Sequence, residues 1–330
     1  MNAVPSPRNQ EENAPKSDRR EDNSMNGKID RRRIFIFVAI AFGIWIALGP
    51  VIFFNGWLWT DGLLTNNPRA ANLLAVMMLA PTVANIATRL ITREGWSNML
   101  LWPKLRRGWP FYLAALILPA VAAIAGGAIY YLLFPSRFDP SMTYALDKVG
   151  PIPTAGLADP WTCLIATAGY YSLVSMAAVP FGLGEEFGWR AYLLPKLMPL
   201  GPRKAVLLVG VIWAIWHWPV TLMGYHYGLD YWGAPVVGPL LFAVICCFLS
   251  AFLAWVTLRS GSVWPAAFGH GAINASLFPM LYFISGEPDA LIGPMWVGVI
   301  GSLGYALLAL VILLSPRALV QPAPAPVDSA

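Results

Sequence analysis

Charged residues are scarce in this chain, and their scarcity excludes most classes of soluble protein. Only 12% of the 330 residues are charged and 57% are hydrophobic, with 15 tryptophans and a mean hydropathy of +0.58. An ordinary soluble domain has about 25% charged and roughly 45–50% apolar residues. So few charges cannot cover the surface of one or two soluble domains. The composition therefore excludes soluble domains and disordered chain, and it leaves a membrane protein with several spans.

Cysteine and the common hydrolase signatures are also rare or missing. The three cysteines lie in apolar runs without a Cys-x-x-Cys spacing, and we interpret them as small core residues. The chain contains no His-Glu-x-x-His, no Gly-x-Ser-x-Gly and no membrane-embedded Gly-x-Gly-Asp. The net charge of +5 does not indicate nucleic-acid binding, because the basic residues outside the N-terminal segment are scattered at the ends of apolar runs.

Uninterrupted apolar runs account for most of the chain. Charged residues separate eight charge-free windows of 19 or more residues. These windows are 34–60, 70–88, 108–136, 160–184, 205–229, 231–258, 260–286 and 290–316. About 20 apolar residues in a helix cross the hydrocarbon core of a bilayer, and a lipid-exposed segment must satisfy its own backbone groups. We therefore predict an all-α, polytopic membrane protein with eight transmembrane helices over residues 34–316.

The distribution of Lys and Arg sets the expected orientation. With the N-terminus in the cytoplasm, 19 of the 22 basic residues fall on the cytoplasmic side, and Arg69, Arg137 and Lys148 fall outside. This bias is typical of cytoplasmic segments, so we expect a multi-pass cell-membrane protein with both termini in the cytoplasm. Residues 1–33 are predicted to form a disordered cytoplasmic tail, and residues 317–330 a Pro/Ala-rich C-terminal tail.

Ionisable residues within membrane spans are costly and are therefore functional candidates. The segment Glu185-Glu186-x-x-x-Arg190 places Glu186 and Arg190 four residues apart, which favours an ion pair on one helix face. Glu185 projects about 100° away from Glu186, so it is free to face another group. The alternative is that these residues only cap the span at the cytoplasmic boundary.

The three histidines differ in their surroundings. His217 lies among tryptophans and shares a helix face with Trp213, four residues earlier. Packing in the core is the simpler interpretation, but an imidazole in lipid needs a partner, which favours a site. We interpret His226, between Tyr225 and Tyr227, as a residue of the membrane interface.

His270 and Asn274 are four residues apart on one helix face, and neighbouring glycines allow another helix to approach closely. Counted at 1.5 Å per residue from the expected cytoplasmic ends, Glu185 and His217 lie about 16 Å deep and His270 about 13 Å deep. The three side chains would then meet at one level. This requires the fourth helix to continue to about Lys196, because a helix ending at Leu183 would leave Glu185 at the surface.

Three motifs on successive apolar segments resemble the CPBP family of intramembrane proteases. They are Glu185-Glu186-x-x-x-Arg190, Trp213-x-x-x-His217 and His270-x-x-x-Asn274. The family is related to type II CAAX prenyl endopeptidases and to bacteriocin-processing or immunity proteins. The match covers about a third of the chain, within a motif core of about 160–285. The family commonly has Phe where this chain has Trp213, so the aromatic character is kept.

The resemblance implies an intramembrane endopeptidase and a role for each of these residues. It implies that Glu185 and His217 activate a water and that His270 and Asn274 form an oxyanion hole. The residues that would hold the geometry of the site are Glu186, Arg190 and Trp213. A desolvated carboxylate is a suitable base near neutral pH, so the residue types agree with this interpretation.

Other interpretations remain open at this point. We expect no cofactor, but a zinc ion bound by Glu185, His217 and His270 with an open fourth position is the alternative. A non-catalytic immunity or scaffold protein on the same fold is another. A transporter would predict paired discontinuous helices, and no internal repeat supports one. The expected partners are the lipid bilayer and, as substrate, a peptide or the C-terminus of a lipidated protein, but not nucleic acid.

Overall fold

The computed structural model describes residues 29–58, 68–149, 152, 157 and 159–321. The predictions for the rest of the N-terminal tail, and for the C-terminal tail beyond Gln321, lie outside the described residues. Within the described part the named secondary-structure elements are all helical, without a β-strand. The all-α prediction is therefore confirmed.

Six helical segments in the described part are long and apolar enough to cross a membrane. The first three consist of α1 (Arg31–Phe54), of α2 with α3 (Pro68–Met77 and Ala80–Thr92), and of α4 (Leu105–Leu133). After α5 (Thr143–Val149), the fourth spans Pro160–Leu200 and contains α6 (Pro160–Val174), α7 (Val179–Gly188) and α8 (Leu194–Leu197). The fifth and sixth are α9 (Pro202–Leu222) and α10 (Val237–Ser260). Three shorter helices follow: α11 (Trp264–Ala275), α12 (Phe278–Leu281) and α13 (Leu303–Leu314).

The predicted count of eight spanning helices is not confirmed. The seventh and eighth windows contain α11 and α13, which have 12 residues each. Twelve residues of helix extend only about 18 Å, whereas the hydrocarbon core is about 30 Å thick. No named helix covers residues 282–302 between them, where glycine and proline recur and interrupt regular structure. The prediction of eight spans counted apolar residues only, so it did not take these interruptions of the helix into account.

Close contact between the fourth span and α11 depends on two glycines. A Cβ atom on Gly182 would lie 2.5 Å from the carbonyl oxygen of Ala267, and one on Gly271 would lie 2.7 Å from that of Ser175. Helices in membranes approach this closely where small residues meet. The two glycines thereby bring α11, which carries His270, against α7, which carries the two glutamates.

Glu94 joins three segments at one end of the helices. Its carboxylate lies 2.5 Å from Nζ of Lys196 and 3.4 Å from Nε of Arg33, and it accepts a 3.0 Å hydrogen bond from the hydroxyl of Tyr192. The Glu94 side chain is 8% exposed. These contacts tie the end of the fourth span to the start of α1 and to the residues that follow α3.

Candidate active site

Two glutamates lie in the second half of α7. The helical segment continues beyond them to Leu200, so the fourth helix does not end at Leu183. Glu185 is 1% exposed and Glu186 is 0% exposed. A π-helical turn, Trp189–Leu193, follows α7 directly. Such turns occur often at functional sites because they reorient the side chains of a helix.

Glu186 is the centre of a buried ion-pair network. Its Oε1 atom accepts a 3.0 Å hydrogen bond from Nη1 of Arg190 and lies 2.8 Å from Nδ1 of His270. The guanidinium of Arg190 lies 4.5 Å from the centre of the Trp213 ring. Arg190 is fully buried, and a buried charge requires partners of this kind. Glu186 therefore orients the His270 imidazole and neutralises Arg190 at the same time.

Glu185 is held through one of its two carboxylate oxygens. Oε2 accepts hydrogen bonds from the indole nitrogens of Trp213 at 2.6 Å and of Trp189 at 3.3 Å. Oε1 lies 3.8 Å from Nε2 of His270. A polar separation of more than 3.5 Å suits a bridging water. The carboxylate is thus fixed on one side and open to a water or a substrate on the other.

His217 is oriented by its own helix. Its Nδ1 atom lies 2.9 Å from the carbonyl oxygen of Trp213, and a carbonyl can only accept a hydrogen bond. Nδ1 therefore carries a proton, and Nε2 of the neutral ring is an acceptor. The ring packs edge-on against Trp216 and Phe242, with centroid distances of 4.9 and 5.5 Å.

The side chains that the three motifs single out as chemically active surround one cavity. Glu185, His217, His270 and Asn274 all line it. Asn274 lies one turn after His270 on α11, and its side chain is exposed. The cavity has a volume of about 50 Å³, which is room for more than one water molecule. Its other walls are mostly apolar and include Leu74, Met78, Phe242, Leu249 and Ile273.

Sequence reasoning did not place three side chains at this site. His226, which we interpreted above as a residue of the membrane interface, is 8% exposed and lines the cavity. Trp296 also lines the cavity, from the non-helical stretch after α12, and nothing in its local sequence indicated this. Trp189 contacts the carboxylate of Glu185, and its position four residues after that glutamate was a signal for the contact.

The three candidate zinc ligands do not fit a metal ion in their present arrangement. Within the residues that the structure describes, no group of three or more His, Cys, Asp or Glu side chains is placed to hold a metal. One oxygen of Glu185 already accepts two indole hydrogen bonds, so only its other oxygen is available to a further partner.

Comparison with protein families gives one match. Residues 167–276, about a third of the 330-residue chain, match the family model described as type II CAAX prenyl endopeptidase, Rce1-like. The matched segment includes all three motifs. A comparison with curated protein sequences gives no match. The resemblance drawn from the motifs is therefore confirmed: over residues 167–276 this multi-pass membrane protein carries a domain similar to the Rce1-like type II CAAX prenyl endopeptidases.

Proposed function

We propose that the protein is an intramembrane endopeptidase that hydrolyses a peptide bond in a CAAX-type or other membrane-associated peptide, without a metal ion. One observation carries this proposal. The buried carboxylate of Glu185 opens onto a cavity of about 50 Å³ that is also lined by the imidazoles of His217 and His270 and by the amide of Asn274. These are the groups that peptide-bond hydrolysis requires: a base, and hydrogen-bond donors for the developing oxyanion.

Glu185 is the proposed general base. Because its Oε2 atom is held by two indole N–H groups, Oε1 is the oxygen that takes a proton from a water in the cavity. The oxygen of that water then bonds to the carbonyl carbon of the substrate. Nε2 of His217, the acceptor atom of the ring, accepts a hydrogen bond from the other O–H group of the water. This hydrogen bond orients the water for attack.

His270 and Asn274 are the proposed oxyanion donors. Nδ1 of His270 faces Glu186 at 2.8 Å, so donation from Nε2 as well requires the doubly protonated imidazolium. The two carboxylates that face this ring supply the negative charge that an imidazolium needs. Asn274 adds an amide N–H from one helical turn away. One such donor typically contributes about 10²- to 10³-fold to turnover.

Collapse of the tetrahedral intermediate completes the proposed reaction. The bond between the carbonyl carbon and the amide nitrogen breaks, and the proton held by Glu185 passes to the leaving amine. The products are a carboxylic acid and an amine, and Glu185 returns to its ionised form. Glu186 and Trp213 are positioning residues in this scheme, because they contact His270 and Glu185 respectively. Arg190 supports them in turn through its contacts with Glu186 and the Trp213 ring.

Cleavage of membrane peptides by the purified protein tests the proposal. Glu185→Gln keeps the shape of the side chain and removes the base, so turnover should fall by at least three decades while the protein stays folded. Glu94→Gln is the matched control, because Glu94 is also a buried carboxylate with hydrogen-bond partners but lies outside the cavity. It should keep wild-type turnover. Equal cleavage by Glu185→Gln and wild type would contradict the proposal, and no cleavage by the wild type would favour the non-catalytic alternative.

A further inference from the structure

Two buried polar atoms of cavity-lining residues have no hydrogen-bond partner within the described part of the chain. They are Nδ1 of His226 and Nε1 of Trp296. Both side chains line the cavity that contains Glu185 and are at most 8% exposed. Buried polar groups are nearly always hydrogen-bonded, so each exception requires an explanation. The reaction proposed above uses neither residue.

The backbone at His226 is also unusual. Its φ angle is +77°, in the left-handed region that residues other than glycine rarely adopt. Its ring stacks on Phe242 at a centroid distance of 4.5 Å, and the Phe242 ring also contacts the ring of His217 at 5.5 Å. Backbone strain of this kind persists where the surrounding structure enforces it, and it clusters at ligand sites. His226 is therefore held next to the proposed reaction centre.

Trp296 is fixed by a separate part of the fold. Its ring packs on Tyr305 at 6.0 Å, and the Tyr305 hydroxyl bonds to Ser276 and to the carbonyl oxygen of Pro119. The ring centroids of Trp296 and His226 are 6.4 Å apart. The two unpaired atoms thus lie on neighbouring rings that line the same cavity.

We propose that His226 and Trp296 form a substrate-binding subsite, which holds the peptide backbone next to the scissile bond. This inference rests on the proposed protease function. Nε1 of Trp296 can only donate, so its partner is a carbonyl oxygen of the substrate. Nδ1 of His226 bonds to a neighbouring peptide group. An extended peptide in an apolar cavity must find hydrogen-bond partners for its N–H and C=O groups. The apolar walls offer no such partners, whereas these two ring nitrogens do.

Trp296→Phe is the sharpest test, because it keeps an aromatic ring and removes one N–H group. The variant should be at least as stable as the wild type, since it removes an unsatisfied buried donor. Its KM for a cleaved peptide should rise about 3- to 10-fold, the effect of one hydrogen bond. Its kcat should stay within about twofold, because the contact is made equally in the ground and transition states.

Trp45→Phe is the matched control. The indole nitrogen of Trp45 is likewise buried without a partner in the described chain, but Trp45 does not line the cavity. This variant should keep the wild-type KM. His226→Asn, which tolerates the left-handed backbone but has a shorter side chain, is a second probe and should also raise KM.

The outcomes separate the two proposals. Wild-type cleavage with an unchanged KM in both Trp296→Phe and His226→Asn would overturn the subsite and leave the protease function standing. An equal rise of KM in Trp45→Phe would also overturn the subsite, because the effect would then not be local. Absence of cleavage by the wild type would overturn the protease function and the subsite with it. A rise of KM confined to the Trp296 and His226 variants supports the subsite.

Discussion

The indole nitrogen of Trp213 lies 2.6 Å from Oε2 of Glu185, so this aromatic residue is a direct partner of the carboxylate. The same ring lies under the guanidinium of Arg190. A phenylalanine, which is common at this position in the related family, would keep an aromatic ring under the guanidinium but would lose the hydrogen bond to Glu185. This chain therefore has one hydrogen bond to its proposed base that the usual family residue cannot make.

Trp213→Phe should lower kcat and leave KM largely unchanged. A hydrogen bond to a charged group contributes about 1.5–3 kcal/mol, which corresponds to roughly a 10- to 100-fold loss if the bond is needed in the transition state. Trp218→Phe is the control, because Trp218 is on the same helix and its indole nitrogen bonds to the carbonyl oxygen of Pro239. Steady-state cleavage assays in detergent or nanodiscs measure both. Equal kcat in the two variants would contradict this role of Trp213.

Glu186 and Arg190 should be coupled in stability. Glu186→Leu leaves the Arg190 charge buried without its main partner, and breaking such a pair costs about 3–5 kcal/mol. Glu186→Leu combined with Arg190→Met removes both charges and should recover most of that loss. Activity should stay low in both variants, because His270 loses the carboxylate that orients it. Thermal or denaturant unfolding checks the energetics, and a double variant no more stable than Glu186→Leu would count against the coupling.

Asn274→Ala should separate activity from stability. The side chain is exposed at the cavity, so its loss should change the unfolding midpoint little. Turnover should fall by about two to three decades, the usual loss for one oxyanion donor. Single-turnover cleavage by the folded variant is the measurement. Turnover within threefold of the wild type would remove Asn274 from the proposed oxyanion hole.

Motif spacing and helical depth were sufficient to predict that Glu185, His217, His270 and Asn274 share one cavity. Glu185, His217 and His270 could be placed at one level by counting the rise along each helix, and Asn274 follows His270 by one turn. Helical periodicity is regular, so residues within one helix are easily related. The six long spans could be predicted as well, because the length of an apolar run shows whether a helix is long enough to cross the membrane.

The contribution of the non-helical stretches to the cavity could not be predicted from the sequence. His226 and Trp296 reach the cavity from non-helical stretches, whose paths depend on tertiary packing rather than on local periodicity. The eight-helix count failed to be confirmed for a related reason. Residues 282–302 are apolar enough to resemble part of a span, but their glycines and prolines favour a folded, non-helical path that the protein interior accommodates.

The proposed topology has both termini in the cytoplasm. Reporter fusions in 57–69, in 139–159 and at Glu287 should therefore map to the outside, and fusions near Lys104 and Gly201 to the inside. The Lys and Arg distribution is the physical basis for this orientation. Glu287 is the most informative position, because it lies between the two 12-residue helices whose crossing is not established. An inside signal at Glu287 would contradict the proposed path of the last segments.

Cleavage of one defined membrane peptide by metal-depleted protein distinguishes a glutamate-activated water from a metal-bound one. The purified protein is assayed before and after prolonged chelation, bound metal is measured in the same samples, and Glu185→Gln is carried in parallel. We expect the metal-depleted wild type to cleave at its original rate and Glu185→Gln to be slower by at least three decades. Stoichiometric zinc, with activity lost on its removal and restored on its return, would contradict a metal-free mechanism.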